Sequence, residues 1–214
     1  MATRNDPESL ITKPLHLSSR FTSAVEYARI LHIERRKGTD IPYMAHLLGV
    51  AALVLGEAGH SHVTEDMVIA AVLHDAAEDH GGQLRLNDIE HNFGGEVARL
   101  VGALSDSLAE DSSMKAPWTE RKAEYLARLR QESADVQLIS AADKLYNART
   151  ILDDYRIIGP VVWQRFKRGR EDQLWYFREL LKVFHASGEN RIVAELERVT
   201  DELERISAGE KQEG

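Results

Sequence analysis

Four ionisable side chains crowd the six residues His74-Asp75-Ala76-Ala77-Glu78-Asp79, directly behind the apolar run Met67 to Leu73. If one helix continues through both segments, at roughly 100° per residue, His74, Glu78, Asp75 and Asp79 fall at about 0°, 40°, 100° and 140°. All four then share one side of a helix that otherwise reads as core. Burying that much charge is costly unless the groups are paired or hold a metal. The residue types therefore point to metal-centred hydrolysis, with imidazole and carboxylate ligands beside further carboxylates that can handle protons.

Two more positions complete a ligand set. His46 lies early in an apolar segment with Leu47, Leu48 and Val50. Asp143 ends the run Leu138-Ile139-Ser140-Ala141-Ala142, much as Asp75 ends its own. His46, His74, Asp75 and Asp143 make a His₂Asp₂ group whose two carboxylates balance a divalent cation. Mixed imidazole and carboxylate donors suit Mn²⁺, Fe²⁺, Zn²⁺ or Ni²⁺ and do not choose among them. Taken singly, His46 reads first as a satisfied core or surface histidine, and Asp143 as a helix residue paired to Lys144 or Arg149. Their combination with the clustered residues 74–79 is what favours a site.

The elements that must position these residues are helical almost throughout, separated by Gly and Pro. Periodicity predicts helices over about 21–36, 43–58 (with Pro42 in its first turn), 64–81, 87–93 and 95–105. Further helices are predicted over about 119–130, 134–155, 160–184 (broken near Gly169) and 190–206. Strand signals are nearly absent, so the fold class is all-α. The polar stretch 105–117 reads as a long loop, able to close over a substrate or simply to connect. Residues 1–17 are expected to be an N-terminal extension, 18–207 one helical domain, and 208–214 a disordered tail. In the last helix Ile192, Leu196, Val199, Leu203 and Ile206 form one apolar stripe. It is expected to cover its own domain, with a homodimer contact as the alternative to a monomer.

Composition excludes several classes. The 214 residues carry 27 Lys and Arg against 35 Asp and Glu, a net charge of −8 that disfavours nucleic-acid binding. A small anionic nucleotide held by a local basic cluster stays open. Cysteine is absent, so thiolate ligands and disulfides are impossible, and a reducing compartment fits. The first residues look like neither a signal peptide nor an anchor, and no run reaches the roughly 18 apolar residues of a membrane helix. A cytoplasmic location is expected. There is no Gly-x-x-x-x-Gly-Lys loop and no Gly-x-Gly-x-x-Gly turn.

The order His46 … His74-Asp75 … Asp143 resembles the HD phosphohydrolase superfamily, an all-helical fold built around a metal. The blocks Ile41-Pro42-Tyr43-Met44-Ala45-His46, His74-Asp75-x-x-Glu78-Asp79 and Ala142-Asp143-Lys144-Leu145-Tyr146-Asn147 are similar to the hydrolase domain of RelA/SpoT-type proteins, over about residues 21–155. The length suggests a stand-alone small alarmone hydrolase, without synthetase or regulatory domains. That resemblance implies Mn²⁺ on His46, His74, Asp75 and Asp143, with other divalent cations possible. It further implies Glu78 and Asp79 as a catalytic carboxylate pair, and removal of the 3′-pyrophosphate from (p)ppGpp. Asn147 and Thr150 match positions that face the nucleotide, and with Asp143 they fall within about 60° on one helix face. Two departures stand out. His80 and two glycines follow Glu78-Asp79 where the family usually has Thr, and spacing does not decide which of Arg35, Arg36 and Lys37 matches the family's base-contacting residue.

Hydrolysis of such an ester needs activated water, neutralised phosphate charge and a proton for the leaving group. Glu78 and Asp79 are expected to couple in their ionisation, which would raise one pKa. Arg35, Arg36, Lys37, Arg121 and Lys122 are the candidate phosphate-binding cations. The alternatives are an HD phosphohydrolase acting on adenine alarmones or another nucleotide or pyrophosphate ester, and a non-enzymatic nucleotide sensor. Retention of both ligands and carboxylates disfavours the sensor.

Overall fold

A computed structural model describes residues 14–109, 116–188 and 190–209. Ten α-helices follow in order among them: α1 (Ser19–Leu31), α2 (Met44–Gly56), α3 (Glu65–Leu73), α4 (Ala76–Asp79), α5 (Gly82–Phe93), α6 (Gly95–Leu104), α7 (Trp118–Leu129), α8 (Ala134–Ile158), α9 (Gly169–Ser187) and α10 (Arg191–Ser207), with a 3₁₀ segment, Gly159–Arg165, between α8 and α9. Extended pairing among the described residues amounts to one isolated bridge, Arg35 with Pro42. No described helix is long and apolar enough to cross a membrane. The all-α expectation is borne out.

Side-chain caps start four of the helices. Ser18, Thr64, Ser133 and Asn190 each accept a backbone N–H from the first turn of α1, α3, α8 and α10. The centre is α3, in which every residue from Met67 to Leu73 is buried. A helix apolar all round belongs inside, and α1, α2, α6 and α8 all pack against this one. The long α8 forms the second axis, touching α2, α3, α6, α9 and α10. Ile192, Leu196, Val199 and Leu203 of α10 are buried, and the helix lies on α8 and α9. Its apolar stripe therefore covers its own domain.

Close approach of α2 to α8 depends on Gly49. A Cβ built there would lie 2.0 Å from the Tyr146 ring, far inside contact distance. Tyr146 in turn packs its ring 5.1 Å from that of His46. A glycine on one helix thereby seats an aromatic of another against a candidate ligand.

Three boundaries differ from the sequence reading in ways that matter. The first helix ends at Leu31 rather than near residue 36, and residues 32–43 fold back as a tight loop. Arg36 N–H donates to the Ile41 carbonyl at 2.8 Å and Tyr43 N–H to that of Glu34 at 3.0 Å. Pro42 belongs to this bridge, leaving Tyr43 as the N-cap of α2. The predicted helix 64–81 is also interrupted. Asp75 has φ −92° and ψ −9°, and the chain turns at His74-Asp75 before restarting as α4. The predicted helix 160–184 divides into the 3₁₀ segment and α9, with 166–168 between them. Of the expected loop 105–117, residues 110–115 lie outside the described residues, as do 1–13 of the extension and 210–214 of the tail.

Candidate active site

Three parts of the bundle converge on one point: α2 supplies His46, the turn after α3 supplies His74 and Asp75, and α8 supplies Asp143. The Nε2 atoms of His46 and His74 lie 3.1 Å apart. Asp75 Oδ2 is 3.4 Å from His46 Nε2 and 3.1 Å from His74 Nε2. Asp143 Oδ1 is 3.3 Å and 3.7 Å from the same two nitrogens. Ligands about 2.0–2.2 Å from a cation stand roughly 3.0–3.5 Å from one another, so the donor atoms of His46, His74 and Asp75 suit a divalent metal, with Asp143 Oδ1 flanking the two imidazoles.

Neighbouring groups aim the donors. His74 Nδ1 lies 2.8 Å from the Ala71 carbonyl, and donating to it leaves the Nε2 lone pair facing the centre. Tyr43 Oη donates to Asp75 Oδ2 at 2.6 Å. Lys144 Nζ takes Asp143 Oδ2 at 2.5 Å, while Asn147 Nδ2 donates to Oδ1 at 2.6 Å. Burial opposes charge on His74, Asp75 and Asp143, yet attraction between opposite charges outweighs it. The imidazoles and Lys144 hold Asp143 well below the usual carboxylate range, and His74 and His46 do the same for Asp75. Asp75 and Asp143 hold His74 well above the ordinary imidazole value. The cluster is poised around positive charge, which a divalent cation supplies.

Glu78 and Asp79 do not share the environment expected of them. The turn at Asp75 breaks the helical register assumed above, and Asp79 is exposed. Glu78 is partly buried, and its carboxylate neighbour is Asp106, whose backbone N–H donates to Glu78 Oε2 at 3.0 Å. Burial, and then the charge of Asp106, push Glu78 up to about 7. Asp106 itself stays well below the usual range despite burial, because Lys122 (2.6 Å) and Arg121 pair with it. Sequence reasoning missed Asp106 because it lies 28 residues beyond Glu78, at the start of a polar stretch read only as loop.

Beside the cluster opens a cavity of about 460 Å³. Arg36, Lys37, Lys122, Lys144, Arg165, Lys167 and Arg168 all line it, against Asp154 as its one carboxylate among the described lining residues. Lys122, Lys144 and Tyr176 also line the small space around His74, Asp75 and Asp143, so the cavity and the cluster adjoin. Asn147 and Thr150 face this cavity. Arg36 reaches in from the 32–43 loop, donating to Asn147 Oδ1 at 2.5 Å with its guanidinium 5.5 Å from the Tyr43 ring centroid. Arg35 and Arg121 are not among the lining residues. Arg35 turns outward to Asp40, at 2.5 Å, and Arg121 is engaged with Asp106. The basic wall at Arg165, Lys167 and Arg168 lies outside the candidate cations read from the sequence, because a helix with a break near Gly169 does not say which way these side chains turn; the signal is the cationic run 165–170 itself.

A helical bundle that carries an imidazole–carboxylate cluster in this order is an HD domain. The family model described as HD domain matches residues 24–158, and the chain belongs to this family. Among its relatives is the mouse (Mus musculus) guanosine-3′,5′-bis(diphosphate) 3′-pyrophosphohydrolase MESH1, 34% identical over 139 residues that make up 63% of this chain and 70% of the relative. The guanosine-3′,5′-bis(diphosphate) 3′-pyrophosphohydrolase of Aquifex aeolicus is 30% identical over 154 residues, 71% of this chain and 20% of that longer protein. A solved structure described as a metazoan ortholog of SpoT that hydrolyzes ppGpp superposes with a TM-score of 0.68 at 28% identity, covering 90% of this chain and 97% of the other. The resemblance read from the three sequence blocks is borne out.

Proposed function

We propose that this protein is a metal-dependent hydrolase that removes the 3′-pyrophosphate from guanosine alarmones. The observation that carries the reading is the basic cavity. In a chain of net charge −8, seven Lys and Arg side chains gather beside one His₂Asp₂ cluster. A ligand with several phosphates matches that concentration of charge, and the relatives named guanosine-3′,5′-bis(diphosphate) 3′-pyrophosphohydrolase support a guanosine bis(diphosphate). Residues 18–207 form the working unit in this reading, and it acts in the cytoplasm.

His46, His74, Asp75 and Asp143 would hold the cation, with Mn²⁺ the favoured ion on family resemblance. When bound, a divalent cation there supplies Lewis acidity that activates water and neutralises phosphoryl charge. Glu78, at about 7 and therefore still partly protonated near neutrality, is suited to give a proton to the departing 3′-oxygen as its bond to phosphorus breaks. Asp79 is assigned to the water side of the reaction. Lys122 and Lys144 lie where the cluster meets the cavity and serve the pyrophosphate. Arg36, near the Tyr43 ring and tied to Asn147, is assigned to the base or ribose among the 35–37 trio, with Lys37 and Thr150 as further lining residues. Arg121 acts by holding Asp106, and Arg35 has no role in this scheme.

The experiment is a hydrolysis panel run with Mn²⁺, Mg²⁺ and Zn²⁺ over ppGpp, ppApp, GTP and ATP. The reading requires pyrophosphate from ppGpp, with a 5′-diphosphate nucleoside as co-product, and none after chelation. Faster turnover of ppApp would move the assignment to adenine alarmones. Release of phosphate or triphosphate from ordinary nucleotides, with ppGpp inert, would overturn it.

A further inference from the structure

A second imidazole–carboxylate cluster lies outside the site described above, and we propose that it binds a second divalent transition-metal cation. Its members are His32, Glu34 and His80. His32 Nδ1 lies 2.7 Å from Glu34 Oε1, His80 Nε2 lies 3.3 Å from His32 Nδ1, and His80 Nε2 lies 3.6 Å from Glu34 Oε1. The three ligand atoms lie close enough together to meet around one cation, as do those of His46, His74 and Asp75, the hydrogen-bonded His32–Glu34 contact widening slightly to admit it.

The local fold explains the convergence. Residues 32–34 continue past α1 in an irregular stretch in which Ile33 is 87% exposed while His32 is buried. Alternation of this kind sends His32 and Glu34 to the same side. His80 caps the end of α4, its N–H donating to the Ala76 carbonyl. The chain then turns sharply at Gly81 and Gly82, with φ of +106° and +55°. A Cβ on Gly82 would meet the Leu108 carbonyl oxygen at 2.2 Å, so the turn that presents His80 is available only to glycine.

Three lone-pair donors meeting at one point are poorly served by hydrogen bonds alone. One proton on His32 Nδ1 satisfies the short contact to Glu34 and leaves His80 Nε2 facing that same nitrogen. A cation satisfies all three. Two imidazoles and one carboxylate form a ligand set well suited to Zn²⁺, Co²⁺ or Ni²⁺. Side-chain exposures of 29% for His80 and 39% for Glu34 leave room for water in a remaining position.

Such an ion would tie the ends of α1 and α4 to the loop that carries Arg36 and Lys37. It would also sit one ring from the first cluster. The His32 ring stacks on Tyr43 at 5.0 Å and 9°, and Tyr43 donates to Asp75. The second cation is thus a brace for the cavity wall, separate from the one proposed to drive hydrolysis.

The test is equilibrium dialysis of the full chain against Zn²⁺ followed by elemental analysis, with cobalt absorption spectra recorded in parallel. Wild type should bind two equivalents. His80→Gln and Glu34→Gln, both at partly exposed positions, should each bind one, lose one set of cobalt d–d bands and keep the far-UV circular dichroism of wild type. Asp143→Asn should lose the other equivalent and keep the His32 site. One equivalent in wild type, or two retained in both His80→Gln and Glu34→Gln, would overturn the proposal. Because Asp143→Asn disables the first cluster and leaves the second to be read alone, failure of the proposed hydrolase activity would leave this result readable.

Discussion

Asp106→Asn tests the role assigned to Glu78, because it alters that residue's surroundings without touching it. Glu78 is raised from the ordinary 4.5 to about 7, first by burial and then by the Asp106 charge. At about 1.4 kcal/mol per pH unit, that rise favours the protonated form by ~3 kcal/mol. The near-isosteric substitution leaves burial in place and removes the charge. It also frees Lys122 and Arg121, the latter 3.9 Å from Glu78 Oε1. Both consequences stabilise ionised Glu78, so its pKa falls, by about one unit or more. A group that must be protonated to act gives activity lost as pH rises through its pKa. The alkaline limb of kcat, centred near 7 in wild type, should move to about 6 or below, so that between pH 5.5 and pH 8 kcat falls roughly 75-fold or more, against about tenfold in wild type. The assay is pyrophosphate release at saturating ppGpp from pH 5 to 9, with metal content measured on the same preparations. An unmoved limb, or one displaced to higher pH, would refute the assignment of Glu78 as proton donor.

Glu78→Gln and Asp79→Asn should each retain metal and bind ppGpp yet lose at least about a hundredfold in kcat; loss of metal would make the residue a ligand instead. His74→Ala and Asp75→Asn should lose both bound metal and turnover, and a folded Asp75→Asn protein with full metal and normal rate would sink the ligand set. Arg36→Ala should raise KM by tenfold or so with kcat little changed, whereas Arg35→Ala should leave both as in wild type; the reverse pattern would place the base contact on Arg35. Gly49→Ala must displace Tyr146 or part α2 from α8 and should cost about 1–3 kcal/mol in a thermal or denaturant melt. An unchanged midpoint would show that the ring moves without penalty.

The sequence alone was enough to determine the helical class and the residue types of the metal cluster. Periodicity is a local property, and α2, α6, α7 and α10 appear within a residue or two of where their apolar spacing puts them. His46, His74, Asp75 and Asp143 stood out because each polar residue interrupts an apolar run, and an unexplained charge inside a core is visible without coordinates. The tertiary structure decided which carboxylate acts on Glu78 and which cations face the cavity. Asp106 comes from a separate segment, and only the packing of that segment against α4 and α7 brings its charge to Glu78. Arg35 and Arg36 are adjacent and chemically identical, yet the bridge between Arg35 and Pro42 sends one to Asp40 and the other to Asn147. The turn at Asp75 likewise resets Glu78 and Asp79 relative to His74 and Asp75, which one continuous helix would have kept on a single side. Long-range pairing and departures from regular helix depend on what the rest of the chain packs against each segment, and no local pattern encodes that.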